Sequence, residues 1–306
     1  MSPDDKIAVT SRSFSRHELL RQELLNKYSC VKFNDDGLKL NGNALIKFLD
    51  GATKAITALE VIDSKVISSL PKLKVISKYG VGTDMIDKAA LEKHNVKFGW
   101  TGGVNRRSVS ELVVSSAISM LRHVPHANRD VLNGNWKQFI GRELSSATIG
   151  IIGCGFIGKD LIRLLSSFGS NILVYDILDF PDFYKEFKVK PVDISTLLKK
   201  SDVVSLHLPL DKSTKNILNK ERMNLMKRFS VLINYSRGGL VDEVELKSML
   251  TRGHLSAAAF DVFGQEPPQD RELLSLPNFL VTPHIGGSSQ EAVLAMGRSA
   301  IMGLDA

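Results

Sequence analysis

From Lys6 to His284 the chain alternates short apolar runs with segments of helical period, and this alternation constrains its fold more than any single motif. "KIAVT" is followed by "SRHELLRQELLNKY", "CVKF" by "GNALIKFLDG", "KAITAL" by "SKVISSL" and "LKVISKYG" by "DKAALEKHN", with "VKFGW" closing the series. Strand and helix in strict turn predict a parallel sheet with helices on both faces. "NRRSVSELVVSSAISMLRHV" then reads as a long helix, with Ser108 as its cap and Glu111 three residues on. A second series begins at "ATIGIIG" and runs through "NILVYD", "DVVSLHLP", "SVLINY", "LSAAAFD" and "FLVTPH". Those runs make about six strands, enough for a complete dinucleotide-binding sheet. The final "SSQEAVLAMGRSAIMGLDA" reads as a helix following the last strand.

A length of 306 residues gives room for two domains, each with its own core. The formal net charge is +7 and the isoelectric point about 9.3, a balance that suits anionic ligands. The basic residues are scattered rather than clustered, and no zinc-type Cys/His spacing occurs, so the charge reads as a solvated surface and not a nucleic-acid interface. The two cysteines, Cys30 and Cys154, sit in unrelated contexts, which predicts no disulfide framework and a reducing compartment. "MSPDDKIAVTSRS" has acids before its first basic residue and no long apolar core, unlike a signal peptide. No apolar run approaches the length of a bilayer. The expectation is a soluble cytoplasmic protein with neither a membrane nor a nucleic-acid partner.

"TIGIIGCGFIGKDLIRLLSSFGSNILVYD" carries Gly153, Gly155 and Gly158 between an apolar strand and an amphipathic helix. In that setting Gly153 permits a tight turn, Gly155 lets backbone approach a pyrophosphate, and Gly158 lets helix and strand pack closely. The helix N-terminus adds unpaired N–H groups and partial positive charge. Asp176 ends the next strand, where a carboxylate accepts hydrogen bonds from a ribose and repels the extra phosphate of NADP. No arginine follows it in Ile177, Leu178 or Asp179, so NAD is expected over NADP.

Three later turns carry charge. "INYSRGGLVDE" puts Arg237 after a strand, "FDVFGQEPP" puts Asp261 and Glu266 after another, and "VTPHIGG" puts His284 after a third. Singly, each reads as an exposed loop residue or a hydrogen-bonded strand end. Jointly they match what hydride transfer to a 2-oxo acid requires. An arginine clamps carboxylate and carbonyl oxygens with its planar fork, a histidine delivers the proton, and a carboxylate favours the charged ring and orients it. This chemistry needs no metal, and no metal-ligand cluster is present in the sequence.

With these residues in register, the chain resembles the D-isomer-specific 2-hydroxyacid dehydrogenases, in particular their D-3-phosphoglycerate dehydrogenase-like branch. "LKVISKYGVGTDMID", "GIIGCGFIG", "SDVVSLHLPL", "INYSRGGLVDE", "AAFDVFGQEP" and "TPHIGGSSQEA" occur in the family's order over almost the whole length. The resemblance implies two doubly wound α/β domains. A Rossmann NAD-binding domain, residues 105–286, is inserted into a flavodoxin-like substrate domain, residues 1–104 with 287–306. It casts Arg237, Glu266 and His284 as catalytic. It places the cofactor against Gly153, Gly155, Phe156, Ile157, Gly158, Asp176, Leu208, Pro209, Tyr235 and Ser236, with Asp261 and Gly287 at the carboxamide and Val81 near the nicotinamide. Tyr79, Gly80 and Gly82 would receive the substrate carboxylate. A phosphorylated substrate such as 3-phosphoglycerate, and with it a place in serine biosynthesis, would call on Lys78, with Arg106 or Arg107. Lys78 stands where many relatives have Arg, and Met85 where many have Asn. The resemblance further implies a small anionic 2-hydroxy or 2-oxo acid as substrate and a homodimer formed through the cofactor domain by the long helix and the Trp136 segment. It implies no serine-responsive regulatory domain after Ala306. The competing readings are a glyoxylate or hydroxypyruvate reductase, and a dinucleotide-sensing scaffold of the co-repressor kind.

Overall fold

Parallel pairing joins all the strands, because each is followed by a helix that carries the chain back to the starting edge. The computed structural model describes residues 5–306; the first four, part of the N-terminus read above as non-secretory, lie outside the described residues. The chain divides into two units: the described residues up to Asn105 with Gln290–Ala306, and Arg106–Ser289.

The first unit holds β1 (Lys6–Val9), β2 (Cys30–Phe33), β3 (Lys54–Thr57), β4 (Val75–Lys78) and β5 (Lys97–Gly99). Their order across the sheet is β2-β1-β3-β4-β5, the flavodoxin-like arrangement. The last helix, Gln290–Gly303, belongs to this unit although it is remote in sequence. The Ser77 hydroxyl of β4 donates to the Ala300 carbonyl at 2.6 Å, and Ala300, Ile301 and Leu304 join Phe14, Leu20 and Leu24 in one apolar cluster.

The second unit holds β6 (Thr148–Ile152), β7 (Asn171–Tyr175), β8 (Lys190–Pro191), β9 (Val203–Leu206), β10 (Val231–Asn234), β11 (Ala257–Phe260) and β12 (Phe279–Val281). The order is β12-β11-β10-β9-β6-β7-β8, which is the Rossmann arrangement extended by β12. Side chains alternate between its faces, as the pleat requires. Ile149, Ile151, Val231 and Ile233 join the core beneath the helices Arg106–Leu121 and Phe156–Ser166. Ile152 and Leu232 point to the opposite core, with Leu197, Leu246 and Met249. Burial on both faces is why these strands read as unbroken apolar runs rather than alternating ones.

Two details depart from the sequence reading. The long helix starts at Arg106, so Ser108 lies inside it and is not its cap; the Ser108 hydroxyl donates instead to the Gly286 carbonyl at 2.7 Å. The second sheet has a seventh strand, β8, which is two exposed residues including a proline and therefore leaves no periodic signal. Among the described residues no helix is long and apolar enough to cross a membrane.

Candidate active site

The glycine turn follows β6 directly. Gly153 has φ +103°, and a Cβ there would lie 2.4 Å from the His207 carbonyl oxygen, so glycine is demanded by conformation and by space. A Cβ on Gly158 would come within 2.0 Å of the Gly153 carbonyl oxygen, which closes the helix Phe156–Ser166 onto the turn. Gly155 differs: it is the helix N-cap, and a Cβ there would meet nothing within 4 Å. The protein's own packing does not require this glycine. Open space directly over a helix N-terminus is what a pyrophosphate needs, and the residues here fit a dinucleotide.

Asp176 lies beside the turn. Its Oδ2 accepts from the Cys154 N–H at 2.5 Å and its Oδ1 from the Leu178 N–H at 2.9 Å. The carboxylate thus stabilises the turn while staying partly exposed after β7. Phe156 is exposed and Ile157 half-buried at the first turn of the helix, and Leu208 and Pro209 follow β9 on the neighbouring loop.

Arg237 is presented by a turn laced from below. Asn234, the last residue of β10, donates through its amide to the Arg237 carbonyl at 2.8 Å and accepts from the Ser236 N–H at 3.2 Å. The guanidinium itself donates to the Ser236 carbonyl at 2.7 Å and is half-exposed. Tyr235 and Ser236 are buried. The Tyr235 hydroxyl lies 2.6 Å from Ser116 Oγ on the long helix, and burial raises its pKa above the ordinary tyrosine value.

His284 and Glu266 come from separate loops and meet. His284 Nδ1 lies 2.9 Å from Glu266 Oε2, and Glu266 Oε1 accepts from the Phe263 N–H at 3.1 Å. The carboxylate is fixed by a backbone donor and in turn fixes the ring. Both side chains remain exposed, which leaves Nε2 on the outward side of the pair. His284 has φ +56°, an uncommon conformation for a residue with a side chain.

Asp261 supplies the support for that conformation. It is buried, 2% exposed, and its Oδ1 accepts from Thr282 Oγ1 at 2.6 Å and the Ile285 N–H at 2.7 Å. Its Oδ2 accepts from the Gly286 N–H at 2.7 Å, and its carbonyl accepts from the His284 N–H at 3.0 Å. Sequence reasoning assigned Asp261 to the cofactor's carboxamide. In the structure its carboxylate braces the loop on which His284 and Gly287 sit, and only Oδ2 has ready capacity for a further donor.

His207 was not singled out in the sequence. It is buried after β9, with Nε2 2.9 Å from Ser205 Oγ and Nδ1 lacking a hydrogen-bond partner, and burial lowers its pKa to about 3. Only its place in "SLHLPL", inside an apolar run, could have marked it.

In the other unit, the turn after β4 is built on Lys78. The ammonium is buried, donating to the Ala58 carbonyl at 2.5 Å and the Tyr79 carbonyl at 3.2 Å. Lys78 thus holds the turn's shape through carbonyl oxygens. Gly80 has φ +118°, and a Cβ there would sit 3.3 Å from Lys78 Nζ. Tyr79 packs edge-on against Phe14 at 5.5 Å, and the Val81 carbonyl accepts from Trp100 Nε1 at 2.9 Å, with Gly82 half-buried beyond. Arg107, a second candidate for phosphate, is engaged by Asp160 at 3.0 Å. Among the described residues no group of three or more His, Cys, Asp or Glu side chains could hold a metal.

Residues 114–286 match the family described as D-isomer specific 2-hydroxyacid dehydrogenase, NAD binding domain. The chain is 37% identical to a hydroxypyruvate reductase of Thermotoga maritima, over 91% of this chain and 90% of that one. It is also 37% identical to a D-3-phosphoglycerate dehydrogenase of Methanocaldococcus jannaschii, over 83% of this chain but 49% of the relative, so it spans about half the length of that protein. A D-lactate dehydrogenase from Aquifex aeolicus, solved with NAD and lactic acid, superposes with a TM-score of 0.86 at 26% identity, covering 97% of this chain and 93% of that one. The chain belongs to the D-isomer-specific 2-hydroxyacid dehydrogenase family.

Proposed function

We propose that the protein is an NAD-dependent dehydrogenase of a small anionic D-2-hydroxy acid, interconverting it with the 2-oxo acid. The observation that carries this reading is the His284–Glu266 pair, 2.9 Å apart on the loops after β12 and β11 of a sheet that bears a nucleotide-binding turn. Gly153, Gly155 and Gly158 would hold NAD with its ribose at Asp176, and the bound cofactor would supply or take the hydride. Arg237 holds the carboxylate and polarises the carbonyl oxygen. His284 gives that oxygen a proton in reduction and removes it in oxidation, while Glu266 keeps the ring oriented. Asp176 supports NAD over NADP, because it would face the added phosphate of NADP with like charge.

The decisive assay is NADH oxidation with a panel of 2-oxo acids: 3-phosphohydroxypyruvate, hydroxypyruvate, glyoxylate, pyruvate and 3-sulfopyruvate. Turnover of one or more supports the dehydrogenase. Tight NADH binding with no turnover across the panel would replace it with the nucleotide-sensing reading. A glyoxylate or hydroxypyruvate reductase is the favoured form of this activity, because Lys78 and Arg107 are both engaged within the protein. The full-length relationship to a hydroxypyruvate reductase supports the same form.

The second unit also offers an apolar surface around Leu132, Trp136 and Ile140, of which Trp136 is 87% and Ile140 98% exposed. A second copy of the chain is the proposed occupant, giving a homodimer through the cofactor domain, which light scattering in solution would test. A cytoplasmic setting is consistent with the free thiols Cys30 and Cys154.

A further inference from the structure

Tyr235, Ser116 and Thr282 bring three hydroxyl groups together beside the apolar core of the second unit. Tyr235 is 4% and Ser116 2% exposed, and the tyrosine shares a cluster with Val109, Val113 and Ala117 of the helix Arg106–Leu121. The Tyr235 hydroxyl lies 2.6 Å from Ser116 Oγ and also bonds the Thr282 side chain. Thr282 in turn donates to Asp261 Oδ1 at 2.6 Å. Its single hydroxyl proton is thereby used, so Tyr235 donates to Thr282 and Ser116 donates to Tyr235. The four groups form one directed chain, from the helix to the carboxylate.

That carboxylate is the fixed point of the loop after β12. Its oxygens take the N–H groups of Ile285 and Gly286, both at 2.7 Å, and His284 just before them is held at φ +56°. Such a backbone conformation persists only where its surroundings impose it. Asp261 imposes it only while its own carboxylate is held still, and Thr282 is the partner that ties it back to the core. Ser108 fastens the same loop to the same helix, donating to the Gly286 carbonyl at 2.7 Å. Phenylalanine at position 235 and valine at position 282 would fill the same space, so the hydroxyl chain adds direction rather than volume.

We infer that Thr282 and Tyr235 are positioning residues of the reaction: with Ser116 they fix Asp261, and through it the loop that sets His284 against Glu266. This inference rests on the proposed dehydrogenase activity. Both residues act at a distance, through the Asp261 carboxylate and the backbone of residues 284–286. Breaking the chain frees the imidazole to leave the line set by Glu266, while the glycine turn at Gly153 keeps its shape. The chemical step then slows without a loss of binding.

The test compares wild type with Thr282→Val, Thr282→Ser, Tyr235→Phe and the Val/Phe double variant, using the panel acid that turns over fastest. Thr282→Val lowers kcat by about tenfold to a hundredfold, the scale for a displaced catalytic group, and leaves KM and the NADH dissociation constant unchanged. Thr282→Ser, which restores the hydroxyl, restores kcat. Tyr235→Phe lowers kcat less, and it adds nothing to Thr282→Val because the chain is already cut. Hydrogen exchange at the Ile285 and Gly286 amides speeds in both single variants, a readout independent of turnover. Level kcat and level exchange in both variants overturn the inference while leaving the dehydrogenase standing. So does a loss that Thr282→Ser does not rescue, which would be packing, or one carried by KM or NADH affinity, which would be ligand contact. Should Thr282→Val not fold, Tyr235→Phe carries the same comparison. Bound NADH with no turnover by wild type on any acid overturns the activity, and this role with it.

Discussion

His207 offers a quantitative test of how tightly the nucleotide-binding edge is packed. Its carbonyl crowds Gly153, its ring is buried, and burial lowers its pKa from the ordinary 6.5 to about 3. The unfolded chain therefore takes up a proton below pH 6.5 that the folded chain refuses until about pH 3. Stability attributable to this residue is level above pH 6.5 and falls as acid is added. At pH 5 the ring lies a pH unit and a half below its unfolded value. At about 1.36 kcal/mol per unit, the folded state loses about 2 kcal/mol relative to pH 7.5. His207→Gln keeps an amide for the Ser205 hydroxyl but cannot titrate. Urea denaturation of both proteins at pH 7.5 and pH 5.0 gives two differences, and wild type is expected to lose about 2 kcal/mol more than the variant. Any intrinsic cost of the substitution cancels, because it is present at both pH values. Equal losses would mean that the ring is hydrated or charged in the folded protein, and would refute its burial as a neutral group.

The glycine turn separates packing from binding: Gly155→Ala should leave the unfolding midpoint in place and weaken NADH, read by fluorescence titration. Gly158→Ala, which collides with a backbone carbonyl, should destabilise by about 1–3 kcal/mol or more. Equal stability of the two variants would contradict the open space over Gly155. His284→Ala is expected to reduce turnover about a hundredfold to ten-thousandfold with NADH affinity retained, and near-normal turnover would return the residue to a structural role. Asp176→Ala combined with Ile177→Arg should move the kcat/KM preference toward NADPH; a preference that does not move removes Asp176 from cofactor choice.

Much of the architecture was legible because the two sheets are buried on both faces. A strand such as "SVLINY" must then be apolar throughout, and the helix that covers it must carry a stripe of matching period. Two glycines of the motif were legible for a related reason: at Gly153 and Gly158 tight backbone approach leaves glycine as the sole residue that fits. The misreadings occur where no such pressure acts. β8 is two exposed residues long, and Ser108 has the composition of a helix cap but finds a carbonyl from Gly286, far along the chain.

What the sequence by itself determined is the order of strands and helices, the turn at Gly153, and the placing of Arg237, Glu266 and His284 after strands, because each follows from local spacing and side-chain type. Only the tertiary structure decided which charged groups remain available. Lys78 and Arg107 look like anion binders in sequence, and the fold gives them partners of their own, carbonyl oxygens for one and Asp160 for the other. Asp261 looks like a ligand contact in sequence, and the fold also makes it the brace of the histidine loop. A buried charge must find partners wherever the fold brings them, and those partners are set by contacts between residues far apart in the chain.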